Sequence, residues 1–509
     1  MKKTFTLSMA WLHTWCGLVF GWVLFGVMLT GAVSVFYGEI TYWLTPEIRG
    51  GLHPDPGRAM ALGFDYLQAH APKSRMWRVT LPTTREPAIK LSWREDKGGT
   101  TARQLDPETG AEIARLTEGG TFFVQYHYML HIDRNRNPVG LLIVGLATIA
   151  MLVAGVSGIV IHKRIFRDLF LFRPGASRHR AWLDAHNVLA VLPMPFHVMI
   201  AYTGLVLLYW LYVPAAVQTL YHGDTARFRG EAIFLDYSQV KGKPGAPAPM
   251  VPPPSLAARA EADYGAGKTS YVLVRDPNRT DAVIEFYRVR TDRVSQQVPQ
   301  VAFDGAGRPG RQVLQRTPVA ETQAFVAALH YLEWGGPAVR WVYFLAGMAG
   351  AGMVAAGLVV FTQKRERRAK GDARWLRMVH ALNVAAVAGL CVACAGFLWA
   401  ERLTPVGVAH RAEVPVQAFF WIWLAALVHA GLRPPRRAWT EQLLAAALLC
   451  IGAPLLGGLV LRDAATLDWV RLGVDATLVG LGAGLGLIAW RQARAPMATP
   501  ADLALAAEA

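Results

Sequence analysis

Charged residues are scarce in this 509-residue chain. Asp, Glu, Lys and Arg make up 17% of it and hydrophobic residues 53%, whereas about a quarter of a soluble domain is charged. That shortfall excludes an ordinary water-soluble globule. Cysteine is scarcer still. Cys16, Cys391, Cys394 and Cys450 all stand in apolar stretches, which argues against a disulfide framework. Cys391 and Cys394 have CxxC spacing without a strand or redox-fold context, so they read as small packing residues. Acidic residues are outnumbered, 36 against 52 basic, for a net charge of +16. The excess forms no aromatic-interleaved groove, which excludes nucleic acid as a partner. It clusters instead beside apolar runs, as the positive-inside rule expects. No CxxCH, P-loop, dinucleotide fingerprint, HExxH or Ser/Cys triad signature is present, so covalently attached haem and nucleotide chemistry have no foothold.

What the chain does have is apolar runs of the roughly 20 residues that cross a bilayer. Spans are expected at 11–37, 139–161, 183–213, 338–362, 375–399, 414–431, 440–461 and 469–490. The first is longer than the apolar core of a signal peptide, about 7–15 residues, and reads as an uncleaved span. Lys163, Arg164, Arg167, Arg173, Arg178 and Arg180 follow span two. Lys364, Arg365, Arg367, Arg368 and Lys370 follow span four, Arg433, Arg436 and Arg437 span six, and Arg491 and Arg494 span eight. All fall on the side of the N-terminus, which the charge rule makes the cytoplasm of a bacterial inner membrane. The expected division is 1–37 span one, 38–137 a periplasmic α+β domain, 138–162 span two and 163–182 a cytoplasmic basic loop. Then come 183–213 span three, 214–337 a second periplasmic α+β domain, 338–362 span four and 363–374 another basic loop. Spans five to eight fill 375–490, and 491–509 is a cytoplasmic tail. The outer segments read as helix 59–69, strand 77–81 and a turn at 105–110. After a Pro-rich linker at 243–254 they continue as helix 255–264 and strands 271–274 and 282–289.

A repeat organises the first half. His13 is followed seventeen residues later by Thr30-Gly31-Ala32-Val33, and His186 seventeen residues later by Thr203-Gly204-Leu205-Val206. Leu130-His131 and Leu329-His330 each precede a span, with Pro138 and Pro337 seven residues after the histidine. The unit is span, outer domain, span, occurring twice; spans five to eight lie outside it and look appended. The repeat sets His13 and His186 near the cytoplasmic ends of spans one and three, and His131 and His330 at the outer ends of spans two and four. Two histidines at matched depth on facing helices can supply both axial ligands of a haem iron. A polytopic α-helical membrane protein with a four-helix haem-binding core is the expected fold, with two non-covalent b haems.

Other residues bear on these sites. His127, one helical turn before His131, replaces or assists it; His197, eleven residues after His186, binds haem or hydrogen-bonds a neighbouring helix. Arg134, Arg136 and Arg340 flank the outer pair, and Arg178 and Arg180 the inner, where guanidinium can meet haem propionates. His380 and His429 lack matched partners. Gly155, Gly158, Gly347 and Gly350 permit close helix packing or cofactor approach.

The ordered motifs Leu12-His13-x-Trp15-x-Gly17-Leu18, Leu130-His131, Gly158-Ile159-Val160, His186 with Pro193, Thr203-Gly204-Leu205 and Leu329-His330 resemble those of the PepSY-associated transmembrane-helix family, which includes inner-membrane ferric-siderophore reductases. The outer segment ending Leu105-Asp106-Pro107-Glu108-Thr109-Gly110 is similar to a PepSY domain. The resemblance covers roughly residues 8–365. It implies two b haems, one on His13 and His186 and one on His131 and His330. It also implies reduction of a periplasmic ferric siderophore or other ferric chelate, with electrons from a cytoplasmic reductant or the quinol pool. Spans five to eight depart from the family pattern. Two further readings are a non-redox transporter of iron, haem or siderophore, whose histidines relay substrate or protons, and a PepSY scaffold that regulates a periplasmic partner.

Overall fold

The computed structural model describes residues 3–48, 54–94, 99–132, 138–162, 177–212, 214–225, 227–228, 245–296, 300–310, 318–367, 373–460 and 468–494. Among them seven continuous helices are long and apolar enough to cross a membrane. They are span one (Thr4–Ser34), two (Val139–Ile161), four (Pro337–Glu366), five (Arg374–Leu403), six (Glu413–Leu432), seven (Pro435–Gly458) and eight (Trp469–Arg494). Span three is a bent pair, Arg178–Val191 and Met194–Leu207, at 62°. The cause is local. Pro193 and Pro195 sit seven and nine residues after His186, where they remove backbone donors and crowd the preceding turn. Span one carries Phe20 and Trp22 at the same offsets from His13 and continues unbroken.

Among the shorter helices of the segments between spans are α1 (Tyr37–Leu44), α2 (Pro56–His70), α3 (Thr121–Met129), α4 (Ala257–Tyr264) and α5 (Pro318–Tyr331). The same segments hold six strands, β1 (Met76–Thr80), β2 (Ile89–Arg94), β3 (Thr100–Leu105), β4 (Thr269–Arg275), β5 (Val283–Arg288) and β6 (Gln300–Asp304). Two separate outer domains were expected. The strands instead form one antiparallel sheet in the order β3-β2-β1-β4-β5-β6. Each segment contributes a three-strand meander, and the two join edge to edge where β1 meets β4, Arg78 opposite Leu273 and Val79 opposite Val272. Either meander alone would leave that edge unpaired. The alternation of β1 and β4 points Trp77, Val79, Val272 and Val274 to one face. There they form a single buried core with Ala59, Phe64 and Leu67 of α2 and Ala260 of α4.

The sheet stands on the helices through charge. Arg85, in the β1–β2 loop, donates to both oxygens of Glu39 on α1 at 2.8 Å. Arg290, after β5, meets Glu333 at 3.3 Å, and the Gln296 N–H donates to Ala324 O of α5. Arg288 donates to both oxygens of Asp292 at 2.6 and 2.7 Å and holds that carboxyl well below the usual carboxylate range.

Spans five to eight, expected as an appendage, share the core of the first half. Leu390, Ala393, Phe397 and Phe419 are buried with Leu24, Phe25, Phe122 and Tyr126. Span five opens into a π-helical turn, Ala385–Gly389, and the Trp423 indole of span six donates to the Ala385 carbonyl at 2.8 Å. At the sheet side a buried polar network locks the halves together. Arg411 and Glu401 pair at 2.9 Å with side chains 1% and 0% exposed. Thr117 donates to Glu401 at 2.6 Å and Arg411 to Leu116 O at 2.8 Å. Arg402 reaches Trp43 O at 2.8 Å and lies 3.9 Å above its ring.

With Arg78→Cys and Leu273→Cys together, oxidation should link the two outer segments, because directly paired antiparallel residues lie within disulfide reach. Protease cut chains would then run as one species on a non-reducing gel; two separate fragments would dissolve the joint sheet. Arg411→Ala, which strands the Glu401 carboxylate, should cost about 3–5 kcal/mol in detergent unfolding. Arg411→Met with Glu401→Met should cost much less.

Candidate functional site

The site is built from imidazoles held by backbone carbonyls. His13 Nδ1 lies 2.8 Å from Ala154 O in span two, and His186 Nδ1 lies 2.8 Å from Met353 O in span four. A mid-helix carbonyl already accepts from the N–H four residues on, so a second donor needs room beside that turn. Glycine supplies it. Gly158 follows Ala154 by four and Gly357 follows Met353 by four, and a Cβ at either would sit 3.2 Å from Cε1 of the histidine it faces. A carbonyl can only accept, so Nδ1 carries the proton and a neutral ring keeps its lone pair on Nε2. The His13 and His186 rings face each other with centroids 6.1 Å apart and planes at 78°.

The same device recurs nearer the sheet. His127 Nδ1 lies 2.8 Å from Val27 O in span one, and Gly31 stands four residues on, where a Cβ would be 2.7 Å from the His127 ring. The His330 Nδ1 lies 3.1 Å from Thr203 Oγ1 of span three. A Cβ at Gly204 would sit 3.0 Å from the His330 ring. The His127 and His330 ring centroids are 6.0 Å apart with planes at 28°. Fourteen helical residues separate His13 from Val27 on span one, which puts the two pairs about 21 Å apart along the helix.

The expected partner of His330 was His131. The structure puts His127 there instead. Leu130 and His131 both adopt left-handed backbone, with φ of 54° and 57°, and end α3. That reversal swings His131 away, against Phe122 at 5.3 Å and Phe420 of span six at 6.5 Å, with its Nε2 buried and without a hydrogen-bond partner among the described residues. The Leu-His and Pro echoes align His131 with His330 in sequence. In space His127 is the equivalent, and the first copy spends four more residues between its facing histidine and its proline.

The remaining candidates fall into place. His197 is buried with Nε2 3.2 Å from Ala346 O, the neighbouring-helix bond of its two expected roles, and faces no second histidine pair. Gly350 makes room for it, Gly347 faces Ala32, and Gly155 faces open space. Arg340 is held by Glu39 at 2.8 Å, alongside Arg85. Arg180 pairs with Asp184 at 3.0 Å and Arg178 donates to Gln492 at 2.9 Å. Arg134 and Arg136 lie outside the described residues.

Two imidazoles sharing one metal through bonds of about 2 Å set their ring centres about 6 Å apart. Both pairs meet that spacing. Among the described residues no group of three or more His, Cys, Asp or Glu gathers as a metal site, so each pair can serve only a metal that brings its other ligands with it. The sequence signal missed was the carbonyl-and-glycine device. Val27 with Gly31 and Thr203 with Gly204 mark where each partner histidine docks, but the partners come from distant segments.

The family model of the PepSY-associated TM region matches residues 10–364 of this chain. An uncharacterized protein of Pseudomonas aeruginosa is 26% identical over 391 residues, covering 70% of this chain and 91% of the relative.

Gly158→Val should lower stability by about 1–3 kcal/mol through overpacking on the His13 ring. Gly155→Val, three residues away and facing open space, should leave the melting temperature in detergent nearly unchanged. Equal shifts for both would remove the imidazole contact as the reason for glycine at 158.

Proposed function

The chain belongs to the PepSY-associated TM family, and on that premise we propose that this multi-pass membrane protein is a haem-b electron conduit. It carries electrons from the cytoplasmic side of a bacterial inner membrane to a ferric chelate, such as an iron–siderophore, in the periplasm. The observation that carries this reading is the pair of histidine couples at ring spacings of 6.1 and 6.0 Å. His13 and His186 would hold one b haem, and His127 and His330 the other. The residues fit the group: two neutral imidazoles with Nδ1 engaged and Nε2 making no hydrogen bond to a described residue, without further protein ligands. When bound, each haem supplies a one-electron iron couple.

The chain's own residues do the rest. Backbone carbonyls of Ala154, Met353 and Val27 fix each tautomer and ring orientation and raise the basicity of Nε2. Glycines 158, 357, 31 and 204 keep methyl groups off the rings. The surrounding spans exclude water, which holds the sites in a low dielectric. The basic links support N- and C-termini in the cytoplasm, and with that orientation the sheet stands in the periplasm beside the outer couple. Delivering an electron there weakens a chelate of hard oxygen donors, because these hold iron best at its higher charge. The donor is a cytoplasmic reductant or a quinol.

Purified full-length protein should show a b-type absorption spectrum that sharpens with dithionite, at about two haems per chain. His127→Ala and His330→Ala should each lose about one haem, while His131→Ala keeps both. A folded, colourless preparation would end this reading, and loss of haem in His131→Ala but not His127→Ala would end the assignment of the outer couple.

A further inference from the structure

The helices α2 and α4 cover one face of the joint sheet. The strand registers build a second array on the opposite face. Tyr271 of β4 stands across from Tyr287 of β5, and Arg78 of β1 stands one row on, across from Leu273. The tyrosine rings stack at 4.3 Å with planes at 12°. The Arg78 guanidinium lies 4.1 Å above the Tyr271 ring, and because β4 runs between β1 and β5, Tyr271 is held between the two. On the other side of Arg78 stand the small residues Ser92 and Ala102, which leave room above β2 and β3.

The charge on this face is not balanced. Glu285 is taken by Arg275 at 3.0 Å and accepts from the Tyr287 hydroxyl at 3.3 Å. Lys90 pairs with Glu86. Arg78 and Arg94 are exposed, and their guanidinium groups meet no carboxylate among the described residues. Burial and the Glu285 carboxylate push the Tyr287 phenol up, so it stays neutral beside an anion. The stack also lies close to the outer couple along the chain: Arg290, three residues past Tyr287, meets Glu333, three residues past His330.

The chemistry selects the occupant. A guanidinium held flat on a tyrosine pair, with its N–H groups unclaimed by any carboxylate, suits an anion that carries an aromatic ring. Charge draws such a ligand in, its oxygens accept from the fork of donors, and its ring extends the stack. An aliphatic hydroxamate complex brings neither the ring nor the negative charge. We propose that this face docks the ferric chelate as an anionic aryl complex, one whose iron is held by phenolate-type oxygens, with a ring against the Arg78–Tyr271 stack and a ligand oxygen on Arg78. This rests on the conduit reading and names its substrate class. Docking itself makes and breaks no covalent bond.

The test uses the full chain in lipid nanodiscs and gallium(III) complexes, which copy ferric ones in size and charge but are not reduced. Binding is then read by calorimetry without any electron transfer. The gallium complex of the bis-phenolate aminocarboxylate HBED, an aryl anion, should bind. Gallium–EDTA, an anion without rings, should bind about tenfold more weakly, and gallium–desferrioxamine B, a cationic hydroxamate, not at all. Arg78→Gln and, separately, Tyr271→Leu should each weaken binding of the aryl complex about tenfold, the worth of one charge-assisted contact or ring stack. Arg58→Gln removes the same charge from α2, behind the sheet, and should leave binding unchanged. Absence of binding by the aryl complex, equal affinity for gallium–EDTA, or an equal loss in Arg58→Gln overturns the docking face while leaving the conduit standing. Binding that depends on Arg78 in a folded protein without haem does the reverse.

Discussion

Three hydrogen bonds from imidazole to helix backbone, with a fourth from His330 to the Thr203 hydroxyl, govern the membrane core. Each of the three needs a carbonyl that already serves its own helix, a glycine four residues on that leaves the approach open, and a histidine arriving from another helix. Because the donors and acceptors lie on different spans, each bond is also a helix–helix contact. Span one binds span two through His13 and receives α3 through Val27, and span three does the same with span four and α5. The bonds thus fix packing and ring tautomer in one step, and within a bilayer there is no water to offer either group an alternative.

The duplication is conserved in the contacts more than in the backbone. Pro193 and Pro195 break span three where span one runs straight, yet His186 finds a carbonyl and glycine spaced as those of His13. On the sheet side the two copies give up their independence. Two meanders of three strands fuse through β1 and β4 into one sheet over one core. That fusion ties the sheet-side ends of spans one to four to a single sheet, with Arg85, Glu39 and Arg340 at the joint.

Spans five to eight are bound as firmly. The buried Arg411–Glu401 pair takes further hydrogen bonds from Thr117 and Leu116 O of the first half, and a buried ion pair keeps its place only when its remaining polar atoms are so satisfied. The π turn in span five serves the same end, because it frees the Ala385 carbonyl for the Trp423 indole.

Hydropathy along the chain was enough to locate the seven long apolar helices and the bent pair to within several residues, and the repeat drew attention to His13, His186 and His330, because bilayer thickness and repeat spacing act on local sequence. The strands at 77–81, 271–274 and 282–289 were legible for the same reason: alternation is a local property. Three things were decided only in three dimensions. Strand pairing across nearly two hundred residues leaves no mark on either strand, so one sheet read as two domains. His127 and His131 both face the same helical side on paper, and only the left-handed turn at Leu130 and His131, set by how α3 packs on span one, chooses between them. The burial of Glu401 beside Arg411 likewise comes from helices meeting, since a charged residue reads as exposed until a partner removes both from solvent.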